Sequence, residues 1–244
     1  QLADSLYPTL GQAPAGTTVS MTAADLVTFA RAHLNKGIAD SAQGWLSENS
    51  VTLMQQPQIR LPSTSQVSTS YAGIGWGLNK VNSSDQIFFG HLGGTFGQLS
   101  ILRIVPDQDL CIAVLVNGHK EGVISGIATP LLNLLSKINL AEPEPASVIL
   151  PDKKLRALSG IYQSEGDRYS FTVEERGLVT AHQDRVMNSP PRPLQLKALD
   201  DTGFIAYNQA GAISARLRFL SLDAEGCPAY LFANSRLLKR VRLN

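Results

Sequence analysis

The chain has 244 residues, 43% of them apolar, and a formal charge of +1 from 21 basic and 20 acidic residues. That balance excludes a charge-driven partner such as nucleic acid or an acidic membrane surface. No apolar run approaches the roughly 18 residues of a membrane-spanning helix, and the length suits one large domain or two modest ones.

After a Pro- and Gly-rich start, "SMTAADLVTFARAHLNKG" reads as an amphipathic helix. Ser20 or Thr22 supplies the cap, and Thr22 with Asp25 makes a capping box. Leu26, Phe29, Ala30, His33 and Leu34 share one face, and Gly37 is placed as the C′ stop. A short helix is expected from Ser47 to Gln55, ended by Pro57, and the polar "LPSTSQVSTS" after it reads as an exposed loop.

From Tyr71 the pattern switches to strands: "YAGIGWGLNKV" as one, then "DQIFFGHLGG", "FGQLSILRIVP" and "DLCIAVLVNG", with "PDQD" as the turn before the last. Connections this short imply an antiparallel sheet. A helix from Val123 to Ile138, interrupted by Pro130, returns apolar surface to that sheet. The Pro-rich residues 141–152 are expected as a linker between a 1–140 domain and a 153–244 domain. Beyond the linker, "SGIYQS", "RYSFTVEE", "GLVTAH", "PLQLKAL", "GFIAYN", "AISARLRFLSL" and "AYLFAN" recur at a spacing typical of a small barrel or sandwich. The expected fold class is α+β, an antiparallel sheet with flanking helices, followed by an all-β barrel.

Cys111 and Cys227 are far apart, and Cys111 lies inside an apolar run, which favours buried thiols over a disulfide. Metal-ligand spacings are absent, so neither a metal nor another cofactor is expected. The chain starts at Gln1 without a signal-like segment, which fits a removed leader or a piece of a longer chain.

One stretch is chemically specific. "FFGHLGGTFGQLSIL", Phe88 to Leu102, sets His91 beside Gly93 and Gly94 between strand-forming runs. Glycine weakens a strand unless something approaches the backbone closely. Something is therefore expected to come close to the backbone at Gly93 and Gly94. A tight bend with a solvated imidazole is the plain alternative.

The segment resembles the third motif of the serine β-lactamase and penicillin-binding-protein superfamily, in its His-x-Gly branch. "TTVSMTAADLVTFARAHLNKG", "YAGIGWGL" and "GHLGGTFGQLS" through "VPDQDLCIAVLVNG" follow that family's order, covering about Pro14 to Ile138. The resemblance implies a partial β-lactamase-like fold. His91 stands where the family has its motif lysine, tuning the nucleophile network or steering a substrate carboxylate. Gly94 offers one oxyanion N–H, and Gly93, Thr95 and Asn117 border the substrate. Asn117 with Gly118 is equally an ordinary turn. His33, His119 and His182 are read as structural.

Two family motifs are not found. No serine here is followed three positions later by lysine, and no Tyr-x-Asn occurs. Ser47-Glu48-Asn49 fits a Ser-x-Asn pattern only by letter, because "SVTLMQQP" after it resembles a family helix downstream of that motif. The resemblance therefore implies a complementing N-terminal polypeptide, missing or separate, that carries Ser-x-x-Lys and Tyr-x-Asn, with this chain the C-terminal part as a nicked product, a split subunit or a fragment. Substrates would be a β-lactam, a D-amino-acid peptide or an ester, peptide cyclisation included, in a periplasmic or secreted setting. Residues 153–244 resemble the lipocalin-like barrel appended to many relatives, where such barrels shape access or mediate homo-oligomerisation. Alternatives are a non-catalytic binding or assembly protein on the same shell, and a small-molecule-binding barrel.

Overall fold

The computed structural model describes residues 19–39, 44–65, 68–95, 97–118, 122–141, 148–174, 177–184 and 189–241. The expectations for His119 and for the centre of the linker, residues 142–147, lie outside them. The described residues fall into two units, one within Gln1–Leu61 and Ser65–Glu142, the other within Pro62–Thr64 and Pro143–Asn244.

The first unit is a six-stranded antiparallel meander: β1 (Ile59–Arg60), β2 (Ser68–Ala72), β3 (Gly77–Val81), β4 (Ile87–Thr95), β5 (Gln98–Val105) and β6 (Leu110–Asn117), hydrogen-bonded in chain order. "YAGIGWGLNKV" is not one strand, because the chain reverses at Gly73–Trp76. There the Gly73 N–H donates to the Trp76 carbonyl at 2.8 Å, and Gly75 takes φ +76°, a conformation that favours glycine. The end of the Ser/Thr-rich segment, expected as loop, becomes β2, because hairpin pairing with β3 (Tyr71 opposite Leu78) outweighs its polar composition. The "PDQD" turn is a 3₁₀ turn at Pro106–Gln108, closed by Asp109 at φ +47°.

Alternation divides the sheet into two faces. On the front, Leu78, Phe89, Leu102 and Ile104 pack under helix α1 (Ala23–Leu34) through Ala30 and Phe29. On the back, Phe88, Val105 and Ile112 pack on Leu132, and Ile101 on Ile124 and Ala128, of helix α3 (Val123–Leu135). Phe89 has no exposed surface, and losing a ring of that size from a closed core costs about 3–5 kcal/mol. Helix α1 begins with the expected capping box: Thr22 Oγ1 accepts the Asp25 N–H at 3.2 Å, and Asp25 Oδ2 accepts the Thr22 N–H at 2.9 Å. Gly37 lies two residues beyond the cap Asn35, one position later than expected, at φ +90°. A Cβ there would sit 1.9 Å from the Leu46 carbonyl oxygen. Helix α2 (Glu48–Met54) is capped by Ser47, whose hydroxyl accepts the Ser50 N–H. Pro130 lies within α3, which ends at Leu135, short of the expected Ile138.

The second unit opens with a short helix that composition did not announce, α4 (Asp152–Leu158), and continues as eight antiparallel strands. These are β7 (Gly160–Gln163), β8 (Asp167–Glu174), β9 (Gly177–Asp184), β10 (Arg192–Ala198), β11 (Gly203–Tyr207), β12 (Ile213–Leu222), β13 (Pro228–Ala233) and β14 (Arg236–Arg240). The β14–β7 pairing closes them into a barrel. Its interior is filled by Tyr162, Tyr169, Phe171, Phe204 and Phe219, mostly in edge-to-face contacts. Burial pushes the Tyr162 phenol up to about 12, and its hydroxyl donates to the Leu158 carbonyl at 2.9 Å. Pro62–Thr64 counts with this unit because Arg216 and Arg218 donate to the Thr64 and Ser63 carbonyls, at 3.0 and 3.1 Å.

His33 has a structural place, as expected, but an unusual one. It is 1% exposed, and its ring lies 5.2, 5.4 and 5.1 Å from those of Phe29, Trp45 and Trp76, each close to edge-on. Neither ring nitrogen has a hydrogen-bond partner, so burial holds its pKa below the ordinary 6.5. The unfolded chain then binds a proton that the folded chain resists. Stability from neutral His33 is therefore complete above pH 6.5 and is lost as pH falls below it toward the lower folded pKa. The urea midpoint is expected to drop between about pH 7.5 and about pH 5.5, and His33→Phe to remove most of that slope. An unchanged slope in the variant would assign the pH dependence to another group.

Candidate functional site

The site is built by a mismatch in strand length. β3 pairs with β4 only as far as Gly77 opposite Gly90, whereas β5 follows β4 to Thr95 opposite Gln98. From His91 to Thr95, the side of β4 away from β5 therefore has no strand neighbour among the described residues. Free backbone N–H and C=O groups on such an edge are what an extended substrate pairs with.

His91, Gly93 and Thr95 alternate onto the front face with Phe89. Register places Leu102, Ser100 and Gln98 of β5 opposite them, and Leu115 and Asn117 of β6 opposite Ser100 and Gln98. Helix α1 packs on this face at Leu102, Ile104 and Ala113. Toward the other end His91, Gln98 and Asn117 are exposed and Leu115 is 43% exposed. The expected residues His91, Gly93, Thr95 and Asn117 thus share one open end of one face. Gly94 belongs to the same run but alternates to the back.

His91 Nδ1 contacts the Leu92 carbonyl oxygen. A carbonyl only accepts, so a hydrogen bond here needs the hydrogen on Nδ1. Thr95 Oγ1 donates to Gln98 Oε1 at 3.4 Å across the hairpin. A Cβ on Gly94 would only touch Leu99 Cδ2, at 3.5 Å, so the described surroundings leave room for a side chain there. Gly93 is different. A Cβ there would fall 2.2 Å from Ser100 Oγ, so what Gly93 first makes room for is the Ser100 hydroxyl. Ser100 and Gln98 were not singled out from sequence. The available signal was the period-two pattern of "QLSILRIV", which puts both on the face of His91.

The remaining candidates lie apart. His182 sits on β9 with Nε2 2.8 Å from Asp167 Oδ1 and its ring 4.5 Å from that of Tyr169. The His182 hydrogen bond holds the Asp167 carboxyl below its usual range against the opposing effect of burial, with Arg236 3.5 Å away on the other oxygen. Cys111 and Cys227 are free and half-buried, and burial pushes the Cys111 thiol up, away from nucleophilic thiolate. Among the described residues, no group of three or more His, Cys, Asp or Glu side chains could hold a metal.

The Gly93–Ser100 contact has a direct test. Gly93→Ala is expected to destabilise the fold by about 1–3 kcal/mol, the cost of overpacking, and Ser100→Ala in the same chain to recover most of the loss, read as thermal midpoints. Equal midpoints for Gly93→Ala with and without Ser100→Ala would remove this contact as the reason for glycine.

Comparison with known proteins places this geometry. The Beta-lactamase family model matches residues 2–135, more than half of the chain. A penicillin-binding protein 4 from Amycolatopsis lactamdurans is 34% identical over 159 residues, which are 61% of this chain and 39% of that protein. Two crystal structures of SurE superpose with TM-scores of 0.62 and 0.61 at 22% and 24% identity, and their likeness is one of fold. They cover 90% of this chain, which spans 50% and 48% of theirs. No described helix is long and apolar enough to cross a membrane. By sequence match over its first unit, the chain belongs to the Beta-lactamase family.

Proposed function

We propose that this chain supplies one wall of a serine acyl-transfer site. The observation that carries the reading is the unpaired edge of β4 at His91–Thr95, set beside an exposed His91. Substrate backbone pairs with that edge. The Gly94 N–H polarises the acyl carbonyl in the role family correspondence implies, and His91 Nε2 exchanges a proton or steers a carboxylate next to the nucleophile. Gly93, Thr95 and Asn117 border the bound acyl group.

The nucleophile lies on an N-terminal polypeptide carrying Ser-x-x-Lys and Tyr-x-Asn, either the preceding part of the same protein or a separate subunit. Family membership over residues 2–135 supports this, together with the absence of Ser-x-x-Lys from the sequence and a chain that spans only half or less of its relatives. β6, last in the sheet order, has one edge without a strand neighbour among the described residues, which a further strand could join. One SurE structure is described as containing D-Leu, and among the family's substrate classes this favours D-amino-acid esters or peptides over β-lactams here.

In the particle isolated from its source, a fluorophosphonate should label a serine outside these 244 residues. His91→Ala should lower turnover of a D-leucine ester by about 10²-fold at unchanged thermal midpoint. Gly93→Val should abolish turnover by filling the front face beside that edge, also when Ser100→Ala in the same chain relieves the clash and recovers the thermal midpoint. A native mass of 26.3 kDa alone would overturn the N-terminal polypeptide, and full activity in both variants would overturn the assignment of β4.

A further inference from the structure

On the back of the sheet lies a cavity of about 190 Å³ whose lining includes Asn79, Phe88, Arg103, Ala128, Leu132 and Leu140. It belongs to the first unit and opens on the opposite face from the candidate acyl-transfer site.

Its floor holds a cation without a counter-ion. Arg103 points to the back from β5, opposite Gly90. Its one hydrogen bond runs from Nη1 to the Leu102 carbonyl at 3.2 Å, and no carboxylate among the described residues pairs with it. Burial pulls the guanidinium down to about 10, so it is still charged at neutral pH. Gly90 is shaped around it: a Cβ there would meet Arg103 Nη1 at 3.1 Å as well as the Leu102 carbonyl oxygen at 1.9 Å. The other polar groups point the same way chemically. Asn79 Oδ1 is taken by the Ser70 hydroxyl at 2.9 Å, which leaves the Asn79 amide N–H pair as what that side chain offers. A half-buried cation and amide donors form a set that asks for an acceptor, the Ser65 and Ser68 hydroxyls being bonded to each other at 3.3 Å, and a planar guanidinium fork matches a carboxylate. Phe88, Ala128, Leu132 and Leu140 supply an apolar wall.

We infer that this cavity binds a small carboxylate with a short apolar tail, held by Arg103 and Asn79 and packed against Phe88 and Leu132. The volume is on the order of six waters' share of the liquid, the scale of a carboxylate with a few carbons. Bound there, the ligand lies against the back of the strand whose front carries His91, and it pairs with Arg103, whose side-chain nitrogens among the described residues otherwise meet the Leu102 carbonyl.

The test uses the full 244-residue chain, ¹⁵N-labelled at arginine, titrated with butyrate, inorganic phosphate or chloride at matched ionic strength. Butyrate should shift one arginine Nε–H resonance saturably, and that resonance should be missing in Arg103→Gln. Asn79→Ala, which keeps the cation, should weaken butyrate binding by about tenfold, the size of one charge-assisted hydrogen bond. Phosphate, lacking the tail, should bind more weakly than butyrate. No saturable shift, or an equal shift with chloride, would overturn the site. So would butyrate binding that appears only after Glu142 and Glu144 are both changed to Gln, because the counter-ion would then belong to the chain itself. Should Arg103→Gln fail to fold, the butyrate titration of the parent and of Asn79→Ala still decides.

Discussion

β4 has nine residues and its neighbour β3 has five. That inequality organises the first unit. Where the two strands run together, Leu78 and Phe89 sit side by side in the closed front core under α1. Where β3 has ended, β4 continues with a free edge, and the side chains change from Phe88 and Phe89 to His91, Gly93 and Thr95. β3 stops because Gly73 and Gly75 turn the chain at Trp76, and the Trp76 ring closes the core beside Phe89 at 5.4 Å. One turn thus both seals the core and exposes the strand edge. A sheet edge is normally a hazard to be covered or blunted, and a short one framed by a paired neighbour is a usable binding surface.

The two faces of the sheet then do different work. The front is dry under α1 and open beyond it, so His91 is exposed at the margin of a rigid layer and not on a loose loop. The back is covered by α3 through Leu132, Ile124 and Ala128, and beside that helix lies the cavity that Arg103 lines. Gly90 belongs to both arrangements: it is the last residue of β4 to face β3, and it is the residue whose missing side chain lets the Arg103 guanidinium lie close. A substitution there is costly for a reason unrelated to catalysis, because the Leu102 carbonyl lies where a Cβ would go.

Much of the fold was legible in local pattern. The Thr22–Asp25 capping box, the Pro106–Gln108 turn and the apolar alternation of β5 and β6 are set by neighbours in sequence, and the structure carries each of them. Composition misled where pairing partners decided. β2 is built from serine, threonine and tyrosine and earns strand conformation from β3. β14, "RLLKR", buries only Leu238 of its five residues and reads as polar surface, yet it closes the barrel. Arg240 helps hold it there, donating to the Ser159 and Ala157 carbonyls at 2.6 and 3.2 Å, at the C-terminal end of α4.

By itself the sequence determined the chemistry available: a histidine followed by two glycines in a strand, no serine with the lysine spacing of its family, and two separated cysteines. Those are matters of residue type and short spacing, which chain order preserves. Tertiary structure alone decided what each residue faces. It set the Ser100 hydroxyl against Gly93, enclosed His33 in three aromatic rings, paired His182 with Asp167, and left Arg103 beside a cavity without a counter-charge. These contacts join strands and helices through register and packing, and register depends on where a partner strand begins and ends. The meaning of "GHLGG" follows the same division: its residues are local, but its free edge exists only because β3 stops at Gly77.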